Sequence, residues 1–391
     1  MRAVVFNAGS STIKTGVYDL TEPEPRRIAK GHLDLRQHPL VFRLTEDDEV
    51  TEVALDAAVT DDLHAVVAAM LEWLVEHYDG EEFCAAGHRI VHGGMDFGEP
   101  VWLDEEVMAR LQELAPLAPL HQPAGLNLAR ALRKLFPELP QLACFDTAFH
   151  RTQLPHAQRM AIPRALHDEG VRRYGFHGLS YQFIAEELQR TEPALAQRRW
   201  VIAHLGSGAS LCAIHHSQSV DTSMGFSALD GIPMATRPGE LDAGVPLYLQ
   251  ASRGFSVEEL QHWLYHECGL KGVSGISADA RVLTESDDPI AAETLDYFAF
   301  RIARGIAALA SSLGGLDGVV FTAGIGENQP ALRANVIRRL AWLGAAIDDA
   351  ANERNARVIS TAASRIAIRV IAAAEEQVIA NAIAQRQREL N

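Results

Sequence analysis

One design occurs twice in this chain and narrows its folding options more than any other feature. Ala3-Val4-Val5-Phe6 runs into the turn Asn7-Ala8-Gly9-Ser10-Ser11 and then into a second extended run, Thr12 to Tyr18. Trp200 to Ala203, the turn His204-Leu205-Gly206-Ser207-Gly208-Ala209-Ser210, and Leu211 to Ile214 repeat it. β-Branched runs on either side of a short Gly/Ser turn predict a hairpin each time. A hairpin alone is commonplace. Two of them, each opening one half of a chain of 391 residues, predict a duplicated fold with a cleft between its halves. The length agrees, since a domain takes roughly 150 residues.

The remaining pattern alternates strands and helices. Residues 19–52 read as short strands and loops. Leu63, Val66, Val67, Met70, Leu71, Leu74 and Val75 have helical spacing, with Asp61 or Asp62 as the N-cap. Ala85 to Val91 and Gln141 to Phe145 are strand candidates. Pro116, Pro119 and Pro123 break the chain before a helix from Gly125 to Phe136, and a junction is placed between His150 and Pro163. The clearest helix runs from Pro289 to Leu313. After it come a strand at Gly318–Thr322, a turn at Gly324–Asn328, a helix from Pro330 to Leu343, and a strand at Ile366–Ala372 before a helical tail.

Composition excludes several classes. At 48% hydrophobic and 22% charged the chain is globular. A formal charge of −16 lacks the positive footprint of a nucleic-acid binder. Cys84, Cys144, Cys212 and Cys268 form no CxxC pair, which suits a reducing cytoplasm. No stretch reads as a membrane span, and Ala3–Phe6 is too short an apolar run for a signal peptide.

Chemistry-bearing residues gather beside turns. Asn7–Ser11, Gly206–Ser210 and Gly324–Asn328 are Gly-rich turns after apolar strands, and backbone N–H groups in such turns cradle phosphate. None is a GxxxxGK[ST] loop, and each read alone is equally a plain turn. Arg89 closes a strand and Arg237 lies in an irregular segment; a guanidinium fork suits carboxylate or phosphate, or an ordinary ion pair. Asp146 follows a strand, and His177 sits between Phe176 and Gly178. The acid positions a metal, takes a proton or caps a helix. The imidazole stabilises a transferred phosphoryl group or is structural. His88 and His92, four apart, lack a third ligand and are not taken as a metal pair. Glu375 and Glu376, past the last strand, either meet Mg²⁺ through water or begin a helix. Local reasoning therefore gives a two-domain, phosphate-handling protein with an anionic co-substrate.

The ordered segments resemble the acetate kinase family of the acetate-and-sugar-kinase, Hsp70 and actin superfamily. They are NAGSSTIK at 7–14, HRIVHGG at 88–94, LAPLHQP at 117–123, FDTAFH at 145–150, YGFHG at 174–178, HLGSGAS at 204–210, DTSMGF at 221–226, GVSGISADAR at 272–281 and FTAGIGEN at 321–328. The resemblance implies an α/β protein of two ribonuclease-H-like, actin-like ATPase domains with an interdomain active site. The expected domains are 1–150, with 371–391 returning to it, and 151–370, which binds nucleotide. It further implies a cytoplasmic homodimer that transfers phosphoryl from ATP to acetate, giving acetyl phosphate and ADP.

Carried onto matching positions, the resemblance makes Asn7 and Glu375 the holders of Mg²⁺ or Mn²⁺ and puts Lys14 near the phosphates. Arg89 binds the substrate carboxylate, with Val91, Leu120 and Phe176 as apolar walls and Ala228 where a Pro is usual. Asp146, His177 and Arg237 are the catalytic residues. His204, Leu205, Gly206, Ser207 and Gly208, with Asp279, Ala280 and Arg281 and with Gly324, Ile325, Gly326, Glu327 and Asn328, form the ATP site. A carboxylate substrate is ionised at neutral pH, so Asp146 is expected to position rather than deprotonate.

Four departures stand out against the family pattern. Ser207 replaces an Asn, and Leu179 and Tyr181 replace a Thr and a His. Ala235 replaces a Gly. Ala372-Ala373-Ala374 replaces a polar lead-in to Glu375. Ala228 leaves room that keeps propionate open as a substrate, since one methylene is worth only about 1–3 kcal/mol. A non-catalytic actin- or Hsp70-like switch, and a pyrophosphate donor, are the remaining alternatives. The first needs no carboxylate clamp, and the Gly324–Asn328 turn favours ATP over the second.

Overall fold

The computed structural model describes residues 1–9, 12–60, 63–78 and 83–390. The chain forms two compact units, Met1–Ala148 with Ala374–Asn391, and Phe149–Ala373.

The first unit is built on an eight-stranded sheet: β1 (Arg2–Ala8), β2 (Thr12–Asp19), β3 (Arg26–Asp34), β4 (Leu40–Glu46), β5 (Glu49–Leu55), β6 (Ala85–Ile90), β7 (Val101–Trp102) and β8 (Gln141–Phe145). Their spatial order is β5-β4-β3-β2-β1-β6-β8-β7. β1, β2 and β3 are antiparallel neighbours, whereas β1–β6 and β6–β8 are parallel. The helix His64–His77 buries Val66, Val67, Met70, Leu71 and Leu74. These side chains join Phe6, Ile13, Leu33 and Phe42 in one core, so the helical spacing of the sequence is the buried stripe.

The C-terminal helix Glu375–Leu390 belongs to this unit as well. It lies so close to β6 that a Cβ on Gly87 would come within 2.3 Å of Ile379 and 2.9 Å of Ile383. The glycine is the space that the tail occupies.

The second unit has a five-stranded sheet of β9 (Trp200–Leu205), β10 (Ala209–His215), β11 (Gln218–Thr222), β12 (Gly318–Thr322) and β13 (Ala367–Val370). Its order is β11-β10-β9-β12-β13. Here too three antiparallel strands are followed by two parallel ones. The set β3-β2-β1-β6-β8 of the first unit therefore has the connectivity of the whole second sheet. The hairpins at the start of each half occupy equivalent places. This is the two-domain, actin-like arrangement of ribonuclease-H-like sheets. The 25-residue helix Pro289–Leu313 begins on the Asp288 side chain, which accepts from the Ile290 N–H, and buries Phe298, Ile302 and Ile306. Among the described residues no helix is long and apolar enough to cross a membrane.

Four local expectations change. The helix expected from Gly125 spans Gln122–Leu135, because Pro123 stands in its first turn, where proline has no bond to lose. Gly324–Asn328 is not an open turn but part of the short helix Ala323–Asn328. The helix from Pro330 ends at Arg339, and Ala341–Leu343 forms a separate 3-10 turn. The residue before the first helix is Leu63, in a left-handed conformation without a side-chain cap. Asp61 and Asp62, and Ser10 and Ser11 of the first turn, lie outside the described residues.

Candidate active site

Parallel neighbours β1, β6 and β8 end at the same edge of their sheet, and this register gathers the first set of candidates. Phe6 pairs with His88, and Ile90 pairs with Phe145. Asn7, Arg89 and Asp146, each beside one of these positions, therefore lie together. Arg89 Nε donates to Asp146 Oδ1 at 3.0 Å and Oδ2 at 3.1 Å, and Nη2 donates to Oδ2 at 2.5 Å. Arg89 Nη1 donates to Asn7 Oδ1 at 3.0 Å. The first turn of the C-terminal helix brings in two carboxylates: Asn7 Nδ2 donates to Glu375 at 2.9 Å and to Glu376 at 3.3 Å. Asp146 is 1% exposed. Burial opposes the charge of Arg89, but Asp146, Glu375 and Glu376 outweigh it and hold the guanidinium above its ordinary pKa.

Lys14 is exposed and stands directly across β1–β2 from Asn7, hence on the same face of the sheet. Val91 is buried just beyond β6, and Leu120 is half-buried. His88 is spent on Gln141, 2.8 Å away, and burial pushes its pKa down to about 4.

The Asn7, Glu375 and Glu376 set suits Mg²⁺ or Mn²⁺. Mg²⁺ is held by one or two carboxylates with water in the remaining positions, and Glu375 and Glu376 offer such carboxylates beside Asn7, whose amide nitrogen faces them. An all-protein cage is not built here: among the described residues no three His, Cys, Asp or Glu side chains cluster as ligands.

The second set forms in the other unit, around the β9–β10 turn. There Gly206 N–H donates to the Gly208 carbonyl at 3.1 Å. A Cβ on Gly208 would lie 2.8 Å from Arg237 Nη2 and 3.1 Å from His177 Nε2, so both side chains rest against this backbone. Only glycine fits. His177 precedes the helix Gly178–Thr191 with φ of 58°. Its ring stacks on His204 at 4.2 Å, and its Nδ1 lies 2.8 Å from Ser210 Oγ. Arg237 Nη1 donates to the Ala228 carbonyl at 2.9 Å, and Ala235 N–H donates to the Ser207 carbonyl at 3.1 Å. Ala228, which the sequence marks as a position where a Pro is usual, holds Arg237 through its carbonyl. Phe176 is buried, and its carbonyl accepts from His150 Nε2 at 2.9 Å.

Thr322 pairs with His204, which sets the helix Ala323–Asn328 beside the same turn. Asn328 Nδ2 donates to the Gly324 carbonyl at 3.0 Å. Asp279 caps the helix Ala280–Glu285 and forms an ion pair with Arg281 at 2.6 Å, both toward solvent, while Ala280 is buried. Thr284 on that helix donates to Gln329 at 3.2 Å, tying the Asp279 segment to the end of Ala323–Asn328. Ile325 and Glu327 follow on the same short helix, and Glu327 accepts from the Ala373 N–H at 3.1 Å.

Glu376, the second of the two acids past the last strand, shares Asn7 with Glu375. One contributor was not among the sequence candidates. Arg333 is completely buried and donates to the carbonyls of Gly326 at 2.8 Å and Glu327 at 2.9 Å, and to Asn352 Oδ1 at 2.8 Å. Burial lowers its pKa to about 10. No local signal separates such an arginine from a surface one.

The acetokinase family model matches residues 2–381. The chain belongs to the acetokinase family. An acetate kinase from Nitrobacter hamburgensis is 46% identical over 380 residues, covering 96% of this chain and 94% of that protein. Among solved structures, a propionate kinase from Francisella tularensis superposes with a TM-score of 0.90 at 33% identity, covering 97% of this chain and 98% of that one. Acetate kinase from Porphyromonas gingivalis gives 0.87 at 32% identity with both chains fully covered.

Within this acetokinase the first set makes a direct prediction. Arg89→Ala is expected to raise KM for the carboxylate about 10- to 100-fold, the worth of a hydrogen bond to a charged group, with KM for ATP little changed. It also strands buried Asp146, so Tm falls. In Arg89→Ala with Asp146→Asn, Tm recovers and KM does not. Initial rates and thermal unfolding of the two variants check this.

Proposed function

We propose that this acetokinase is an acetate kinase that moves a phosphoryl group from ATP to acetate in one in-line step. An acetate oxygen forms the new P–O bond as the bond from the γ-phosphorus to the ADP oxygen breaks. The observation that carries the reading is the division of labour: an oriented guanidinium, Arg89, in one unit, and Arg237 with His177 against a glycine turn in the other. A nucleotide switch has no need of the first.

Asp146 and Asn7 fix the plane of Arg89, leaving N–H groups of its terminal nitrogens for the substrate carboxylate. Asp146 thereby acts through Arg89, and an ionised substrate needs no base. Arg237 and His177 donate to the equatorial oxygens of a loose transition state, where charge is spread and positioning does most of the work. Backbone N–H groups of His204–Gly208 and of Gly324–Asn328, with Asp279, Ala280 and Arg281, hold the nucleotide, and Lys14 is assigned to its phosphates. Asn7, Glu375 and Glu376 would hold the divalent metal, which neutralises phosphate charge.

Val91, Leu120, Phe176 and Ala228 are the apolar groups assigned to the methyl of acetate. Propionate is the second substrate of this reading, favoured by the small side chain at Ala228. We assign the enzyme to the cytoplasm as a homodimer. Leu247 and Tyr248, 65% and 53% exposed on a helix that buries no residue in its own unit, are apolar surface that a second copy would cover.

Hydroxylamine trapping tests the activity. Acetate, ATP and Mg²⁺ are expected to yield hydroxamate, with kcat/KM for acetate above that for propionate by about 10-fold, one methylene's worth. No hydroxamate from acetate, propionate or butyrate would transfer the chain to the nucleotide-switch class.

A further inference from the structure

We infer that Tyr181 is a positioning residue which, through Ser210, fixes the proton of His177 on Nε2. The inference rests on His177 acting in transfer as proposed above.

Three polar groups stand in series. Tyr181 Oη lies 2.5 Å from Ser210 Oγ, and Ser210 Oγ lies 2.8 Å from His177 Nδ1. Tyr181 and Ser210 are fully buried. Tyr181 is four residues after His177, and its N–H donates to the His177 carbonyl at 3.1 Å, which keeps the two residues one turn apart. Ser210 comes from β10, across the turn that carries Gly208. Edge-on packing against His150, with centroids 5.6 Å apart at 71°, holds the phenol ring.

The chemistry sets the direction of this series. Arg237 Nη2 and His177 Nε2 both lie at Gly208, and the His204 ring stacks on that of His177. A positive charge on His177 is costly beside a guanidinium, so the ring serves as a neutral donor. A neutral imidazole donates from Nε2 only when Nδ1 carries no proton. Nδ1 must then accept, and Ser210 Oγ lies within reach of it at 2.8 Å. A serine hydroxyl has one hydrogen, and giving it to Nδ1 leaves its oxygen to be satisfied from elsewhere. The Tyr181 hydroxyl, a phenol and a stronger donor than an alcohol, does this. Tyr181 therefore donates to Ser210, Ser210 donates to His177 Nδ1, and the Nε2–H is directed at the phosphoryl oxygens. A phenylalanine of nearly the same shape would leave Ser210 free to accept from Nδ1–H, and the ring would lose its donor.

The test is ¹⁵N-histidine NMR of the full-length enzyme saturated with acetate and a non-hydrolysable ATP analogue, with His177 assigned by its loss in His177→Gln. The expected wild-type signature is a protonated Nε2 and a bare Nδ1. In Tyr181→Phe the two tautomers mix, and kcat falls about 10-fold, the size of one misplaced donor's partial loss, with both KM values unchanged. Ser210→Ala gives a similar fall, and the double variant is no worse than Ser210→Ala alone. Unchanged kcat in Tyr181→Phe, or a lowered kcat with the wild-type tautomer retained, overturns the inference. An unchanged kcat in His177→Gln sinks instead the role of His177 itself, which separates the two failures.

Discussion

Arg237→Ala is expected to lower kcat by about 10³-fold or more while KM for acetate and for ATP changes little. An arginine that meets charge only as the phosphoryl group moves is worth this much in phosphoryl-transfer enzymes generally. That is the task proposed for this side chain. One terminal nitrogen is held by the Ala228 carbonyl, and the other rests at Gly208. Arg237 is half-buried, so Tm should move by only a few degrees. Arg237→Lys restores little, because a single ammonium cannot keep the bond to Ala228 and also aim a donor at the transferred group. Initial rates with a coupled assay for ADP, beside thermal unfolding, decide it. A variant with wild-type kcat would remove Arg237 from the transition state.

The second large effect comes from a single methyl group. Gly208→Ala is expected to cost about 10²-fold in kcat, the usual penalty for misplacing a reacting arrangement by an ångström. The new Cβ would stand 2.8 Å from Arg237 Nη2 and 3.1 Å from His177 Nε2. Both are distal atoms of side chains that can swing away, so the fold accommodates the methyl at small cost in stability. Activity suffers because the accommodation displaces the two donors assigned to the transition state. Circular dichroism and Tm close to wild type, alongside the fall in kcat, are the expected pair. Wild-type turnover in this variant would mean that neither donor needs its observed place.

The duplicated core was legible because hairpins advertise themselves locally, and the two sheets repeat one connectivity around them. Asn7, Arg89 and Asp146 were individually visible as polar residues at strand ends. Their meeting follows from β1, β6 and β8 being parallel neighbours, which strand ends alone do not state. Pro123 was misread because a proline that begins a helix and one that ends it look alike without the register of the following turns. Arg333 and the Tyr181–Ser210 pair were illegible for another reason. Their partners lie on different elements, and nothing in the local sequence distinguishes a buried guanidinium or phenol from an exposed one.

The tail that fills the space over Gly87 has a consequence for biosynthesis. A chain emerging N-terminus first presents β1 to β8 early, yet Ile379, Ile383, Glu375 and Glu376 arrive only with the final helix. The second unit is contiguous, whereas the first is closed by a segment that follows the second in the chain. The unit begun first is thus closed after the second, and the acids beside Asn7 join it only once the whole second unit has been made.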